Sequence, residues 1–279
     1  MKKFLHFLFS GSLLIIIYGC ETQPPVSPEG VSYIAGKIYV NYSIEFDSQP
    51  QTTNKVVLLE DFANVSCVPC VQSDQIIERY AQDLYGPSKL SVVKFATNFP
   101  SPADPFYLAN KPTCDTRMSL YNVLFAPTIV VDGTNRPTST DSTAIKNSID
   151  LRSQVSPPLF ISVNHNFIDS AYTVNVDIKI FNNSGLDLNN LVIQTVIAQK
   201  EVVFSSPPGS NGETKFYYVM RTMIPSYEGI DLSTISHTGN VTMNEEGNIS
   251  SNWNLSKINT VVFIQDKSTK EIYQSSSTY

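Results

Sequence analysis

The chain has 279 residues, and 19 lysines and arginines stand against 25 aspartates and glutamates, a formal net charge of −6 at pH 7. A mildly acidic chain without a basic run argues against nucleic acid as a partner, and 42% hydrophobic with 11% aromatic residues excludes a disordered or low-complexity chain. The length fits two folded units better than one.

Residues 1–19 read as a targeting segment. Lys2 and Lys3 form a charged start, Phe4 to Tyr18 is mostly apolar, and Gly19 precedes Cys20. That ending resembles a bacterial lipobox, which implies a lipoprotein signal peptide cleaved before Cys20 and lipidation of that cysteine. The other reading is an uncleaved anchor helix, for which the apolar run is short. Residues 20–54 read as a tether and added strands: Glu21 to Gly30 holds three prolines, Pro24, Pro25 and Pro28, and further on Ile38, Val40, Tyr42 and Ile44 alternate with polar neighbours.

Residues 55–154 read as an α/β unit. Val56-Val57-Leu58-Leu59 is an unbroken apolar run suited to a strand covered on both faces. Cys67-Val68-Pro69-Cys70 follows, and then Ile76, Ile77, Tyr80, Ala81 and Leu84 fall on one face of a helix that Gly86-Pro87 stops. The two cysteines therefore sit where strand becomes helix, at the positive end of the helix dipole, a field that favours thiolate. Pro69 is tolerated there because first-turn amides have no intrahelical partner. Leu90 to Ala96 reads as a strand, Asn98 to Lys111 as a Pro- and Asn-rich insertion, and Thr113 to Tyr121 as a helix. Ile129 to Val131 is a strand closed by Asp132-Gly133, and Thr143 to Leu151 is the final helix, with Asp141 or Ser142 at its cap.

Two motifs carry a resemblance to thioredoxin-like proteins. Asp61-Phe62 stands six residues before Cys67, and Tyr121-x-Val123 leads to Pro127-Thr128 ahead of a strand. The resemblance implies a mixed sheet flanked by helices, with Pro127 cis and facing the cysteines, shaping a groove with a free backbone edge. It also implies roles: Cys67 as the attacking thiolate, Cys70 as the resolving thiol, and Asp61 (less favoured, Glu60) as the buried acid that takes the proton of Cys70. Cys67 is then expected to be the more exposed sulfur and Cys70 the shielded one. The chain departs from the pattern at Ser66, where an aromatic residue commonly precedes the first cysteine.

Val155-Ser156-Pro157-Pro158 reads as a linker, and residues 158–279 as all-β. Tyr172, Val174, Val176, Ile178 and Ile180 alternate with polar residues. Leu191 to Ala198, Lys215 to Ile224 and Thr260 to Gln265 are further strands. The last pair, Val261 to Gln265 and Glu271 to Ser275, forms a hairpin across Asp266 to Thr269. Six to eight such strands point to an immunoglobulin-like β-sandwich, one without a disulfide, since no cysteine follows Cys114.

The whole arrangement resembles a Bacteroidetes outer-membrane lipoprotein family named for a twenty-eight-kilodalton member. Leu59-Glu60-Asp61-Phe62 before the cysteine pair, Val219-Met220-Arg221 and Val261 to Asp266 carry that resemblance. It implies a lipid-anchored protein of the cell envelope, at the outer membrane. Two function classes stand: a thiol–disulfide oxidoreductase whose partners are protein thiols and disulfides of the envelope, and a non-catalytic surface binding or adhesion lipoprotein on the same scaffold. Neither calls for a cofactor. A zinc site at Cys67 and Cys70 lacks further ligands nearby, because outside the leader the histidines are His165 and His237 alone. Cys114 reads as a buried free thiol in preference to a regulatory partner for Cys67, and Trp253 as a core contact in preference to an exposed one.

Overall fold

Strand β2 (Val57–Ala63) is buried along its whole length, as an apolar run between two covering layers must be. Its side chains alternate between two cores. Val57 and Leu59 face one with helices α1 (Cys70–Arg79) and α4 (Ser142–Ser153), through Ile76, Ile77, Ile145 and Ile149. Leu58 and Phe62 face the other with Cys114, Met118 and Tyr121 of α3 (Lys111–Tyr121). Phe62 stacks on Phe95 with ring centroids 5.6 Å apart. Strand β3 (Leu90–Ala96) lies parallel to β2, and β4 (Thr128–Val131) antiparallel on its other side. The structure is a computed structural model and describes residues 35–47, 53–181, 186–235 and 241–279; the leader, Cys20, the Pro-rich tether and His237 lie outside the described residues.

Local chemistry accounts for most element ends. The insertion expected at Asn98 to Lys111 contains a short helix, α2 (Pro105–Ala109), where the sequence pattern showed only loop residues. Asp104 caps it by accepting from the Phe106 and Tyr107 amides, with proline in the first turn. Asp141 caps α4 by accepting from the Thr143 and Ala144 amides. Helix α1 continues into a π-turn at Tyr80–Leu84 before Gly86 stops it. After β4, Asp132 turns the chain with φ of 47°. Its buried carboxylate receives the Leu58 amide, Lys55 Nζ at 3.0 Å and Arg152 Nε at 3.0 Å.

The remaining strands are β5 (Leu159–Ile168), β6 (Ala171–Phe181), β7 (Leu191–Val203), β8 (Lys215–Ile224), β9 (Ile230–Asp231), β10 (Val241–Ile249), β11 (Ile258–Asp266) and β12 (Ile272–Ser277). With the N-terminal strand β1 (Gly36–Asp47) they form two sheets. One has the order β10-β1-β6-β5, so β1 pairs antiparallel with β10 and parallel with β6. The alternation in β1 is what the pairing uses: Ile38, Val40, Tyr42 and Ile44 are fully buried against β6 and the facing sheet. Two hydroxyl contacts cross between the sheets, Tyr42 Oη to Thr195 Oγ1 at 2.8 Å and Tyr172 Oη to Thr260 Oγ1 at 3.2 Å. Trp253 is buried in this core, with the Arg221 guanidinium 5.7 Å from its ring centroid.

The expected separation into an α/β unit and a β-sandwich does not appear as a break in the sheet. The second sheet runs β12-β11-β7-β8-β3-β2-β4, and β8 joins β3 in parallel at Val219 and Lys94. The join is sealed by aromatics: Phe216 of β8 lies 5.3 Å from Phe106 of α2 and 5.7 Å from Phe204, ring centre to ring centre. The protein is mixed α/β, with two mixed sheets.

Because Phe216 packs on residues from both sides of this join, truncating it should weaken both. Phe216→Ala is expected to lower unfolding free energy by about 3–5 kcal/mol. In urea titrations, Trp253 fluorescence and far-UV circular dichroism should shift together; a shift in circular dichroism with unmoved fluorescence would show that the two parts unfold independently.

Candidate functional site

The loop between β2 and α1 is fixed before it reaches the cysteines. Asn64 donates from Nδ2 to the carbonyls of Thr97 and Ser101 and accepts the Ser66 amide on Oδ1. Asp104 Oδ2 accepts the Val65 amide at 2.8 Å. From the β7–β8 loop, Asn211 donates its amide to Val65 O and Ser210 donates its amide to Ser66 Oγ. Gly209 approaches so closely that a Cβ there would stand 2.2 Å from Val65 O. Ser66, where thioredoxins commonly carry an aromatic, is thus the seat of a loop from the all-β part.

Cys67 and Cys70 form a disulfide. Cys67 lies in the turn before α1 and Cys70 is the first helical residue, after Pro69 at the cap. The helix has no acidic residue in its first turn, so its positive end is not offset locally. The disulfide packs with Ala63 of β2 and with Ala126. Ala126–Pro127 is a cis peptide, and Ala126 packs against the disulfide. In this oxidised form the expected contrast in exposure is absent: Cys67 is 2% and Cys70 1% exposed. Ala63 and Ala126 pack in one cluster with the two cysteines and cover both.

Beside the disulfide runs a groove of about 610 Å³ lined by Pro69, Leu124, Phe125, Pro127, Arg136 and Thr138, among others. Its rim is apolar and open: Leu124 is 72% and Phe125 67% exposed, and nearby Val68 is 68% exposed. A large exposed apolar surface of this kind is a feature of contact sites.

Adjacent residues of β2 point in opposite directions, so Glu60 and Asp61 part company. Glu60 faces α3, where it accepts from Arg117 Nε at 2.6 Å and from Tyr121 Oη at 2.5 Å; Arg117 also donates to Gln265. Asp61 faces the α1 side, one alternation before Ala63, which touches the disulfide. It is fully buried, neither of its oxygens has a hydrogen-bond partner, and the Lys94 ammonium of β3 stands 3.3 Å from Oδ2. Burial pushes the Asp61 carboxyl up to about 7; Lys94 opposes this and the Asp74 carboxylate reinforces it. Burial works against the Lys94 ammonium, but Asp74 and Asp61 outweigh it and its pKa is raised. Lys94 was missed in the sequence, although a lone lysine inside a buried apolar strand is itself a signal.

Cys114 is a free, buried thiol in the α3 core. Burial raises its pKa to about 12, so it is held neutral, and it belongs to a different core cluster from the disulfide. His165 is an exposed residue of β5 beside Tyr172. Among the described residues no cluster of histidine, cysteine and acidic side chains could hold a metal ion.

No family model matches this sequence and no curated protein matches it. Solved structures similar to it include HBP35 of Porphyromonas gingivalis, at TM-score 0.68 and 14% identity over 82% of this chain and 76% of that one. A protein of Agrobacterium tumefaciens is similar at TM-score 0.52 and 15% identity, over 81% and 95%. A domain of the outer membrane lipoprotein Omp28 from Porphyromonas gingivalis reaches TM-score 0.30 and 16% identity, over 43% and 86%. At such identities the first two likenesses are of fold.

The buried acid has a consequence for stability. A carboxyl whose folded pKa lies above its unfolded value stabilises the folded protein while protonated, and that contribution is lost as pH rises through the folded value. The wild type should therefore lose stability from about pH 4 to beyond pH 7 by this group. Asp61→Asn should flatten that decline and be more stable than wild type at pH 8, read from urea midpoints at pH 5 and pH 8. Equal slopes for the two proteins would show that Asp61 is ionised throughout.

Proposed function

We propose that this chain is a lipid-anchored protein of the cell envelope that exchanges thiols and disulfides through Cys67 and Cys70 on a thioredoxin-like scaffold. The observation that carries the reading is the Cys67–Cys70 disulfide at the start of α1, packed on Ala126 of the Pro127 loop and flanked by the open apolar groove.

In the reducing direction the Cys67 thiolate attacks one sulfur of a partner disulfide. The partner S–S bond breaks, a mixed disulfide forms, and the first partner thiolate leaves. The Cys70 thiol gives its proton to Asp61, and the Cys70 thiolate attacks Cys67 Sγ. The mixed disulfide breaks, the second partner thiolate leaves, and Cys67–Cys70 is restored. Two electrons pass from the dithiol to the partner, and each departing thiolate takes a proton at its own pKa. Run in reverse, the same steps oxidise a dithiol. The partner class is a protein disulfide or dithiol with an apolar stretch that suits Leu124 and Phe125.

One observation favours a second reading, a non-catalytic surface-binding lipoprotein: Cys67 is only 2% exposed, so the disulfide is shielded unless the groove opens.

Under the exchange reading, Cys67→Ser abolishes turnover in a disulfide-reduction assay, while Cys70→Ser accumulates a mixed disulfide with its substrate, visible by mass spectrometry. A wild type that fails to turn over, with reduced Cys67 no more reactive to iodoacetamide near neutral pH than a free cysteine, would leave the scaffold reading. The anchor is tested separately. Cys20→Ser should end palmitate labelling and release the protein from membranes; labelling that persists in the variant refutes lipidation at Cys20.

A further inference from the structure

Helix α1 brings a third group to the buried pair. Asp74 stands four residues after Cys70, on the helix face turned toward β3, and its Oδ2 takes the Lys94 ammonium more closely than Asp61 does. Its other oxygen, and both oxygens of Asp61, are buried without a hydrogen-bond partner. Every element packed here contributes charge: Asp61 from β2, Lys94 from β3, Asp74 from α1, Asp104 from the segment before α2, and Glu213 from the β7–β8 loop. Asp104 is occupied by three backbone amides. Glu213 is half-buried and held by Asn211 Nδ2 at 2.6 Å; burial, then Asp74, raises its pKa. Lys94 is thus the ammonium that Asp61 and Asp74 share. A cavity of about 10 Å³, lined by Asn64, Asp74, Lys94 and Phe216 among others, has room for about one water.

The sharing decides what Asp61 can do. A carboxylate in a close buried ion pair is a weak base, because the cation stabilises its charged form. Asp74 draws the cation to itself and adds a negative charge nearby, and both effects favour the protonated form of Asp61. We propose that Asp74, backed by Glu213, is a positioning residue for the exchange reaction: by holding Lys94 it keeps Asp61 basic enough to take up the proton of Cys70. The proposal rests on the exchange reading above. It gives Glu213, on a loop of the all-β part, a hand in the chemistry of a disulfide on the other side of the β3–β8 join.

The test is a carbon-13 titration of the Asp61 carboxyl in the oxidised full chain, assigned with Asp61→Asn. Asp74→Asn should lower the proton affinity of Asp61 by roughly tenfold or more, Glu213→Gln should lower it less, Lys94→Met should raise it, and Asp74→Glu should restore it. In single-turnover kinetics of the reduced protein, the pH midpoint of the resolving step should move down in Asp74→Asn and its plateau should fall. A merely structural role would lower the plateau and leave the midpoint in place. An Asp61 midpoint that is unmoved or raised in Asp74→Asn overturns the proposal. If that variant does not fold, Glu213→Gln carries the same sign on a half-exposed side chain, and an unmoved midpoint there has the same force. The oxidised titration needs no exchange. A wild type that does not exchange but shows these shifts counts against the exchange reading alone, and an active wild type with an unmoved midpoint counts against Asp74 alone.

Discussion

Glu60 and Asp61 are consecutive on a strand that is buried along its whole length. Burying an unpaired carboxylate is far more costly than burying a paired one, so each needs a cation, and the alternation of the strand sends them to opposite sides. Glu60 finds Arg117, with Tyr121 and Gln265 around it; Asp61 finds Lys94 and, through it, Asp74. The first is a closed network, its guanidinium engaged on three nitrogens. The second is open, with unfilled acceptors beside a small cavity. One strand therefore holds one fully engaged charge pair and one with unfilled acceptors, and the second lies on the face that meets the disulfide.

Much of this was legible in the sequence where the signal is local. The unbroken run from Val56 to Leu59, the cysteine pair at a strand-to-helix junction, the alternations through Ile38–Ile44 and Tyr172–Ile180, and the Asp141 cap all appear as read. What escaped depends on contacts between residues far apart in the chain. Strand β1 was legible as a strand, but its parallel pairing with β6, more than a hundred residues away, leaves no mark on either segment. The join of β8 to β3 is equally silent. Helix α2 is only five residues long and too short to show a period, so its Asp104-Pro105 start was the sole cue.

The site divides in the same way. Cys67, Cys70, Asp61 and Pro127 stand in recognisable spacings. Lys94 could have been found, since an ammonium inside Leu90–Ala96 demands a carboxylate. Asp74 falls at helical spacing from Cys70, which places it on the right side but not beside Lys94. Glu213 could not have been found, because nothing between Phe204 and Lys215 hints that this loop folds over the Cys67 turn. Ser66 was legible as a departure from the thioredoxin pattern; its hydroxyl accepts the Ser210 amide, while Gly209 packs on the neighbouring Val65.

The join at Lys94 and Val219 also bears on how separable the two parts are as folded pieces. Cut away from β8, strand β3 would lose its bridge from Lys94 to Val219, and Phe106 would lose its aromatic partners Phe204 and Phe216. Apolar surface uncovered in this way favours association with other chains. An excised α/β fragment would therefore expose apolar surface that the intact chain covers with Phe204 and Phe216.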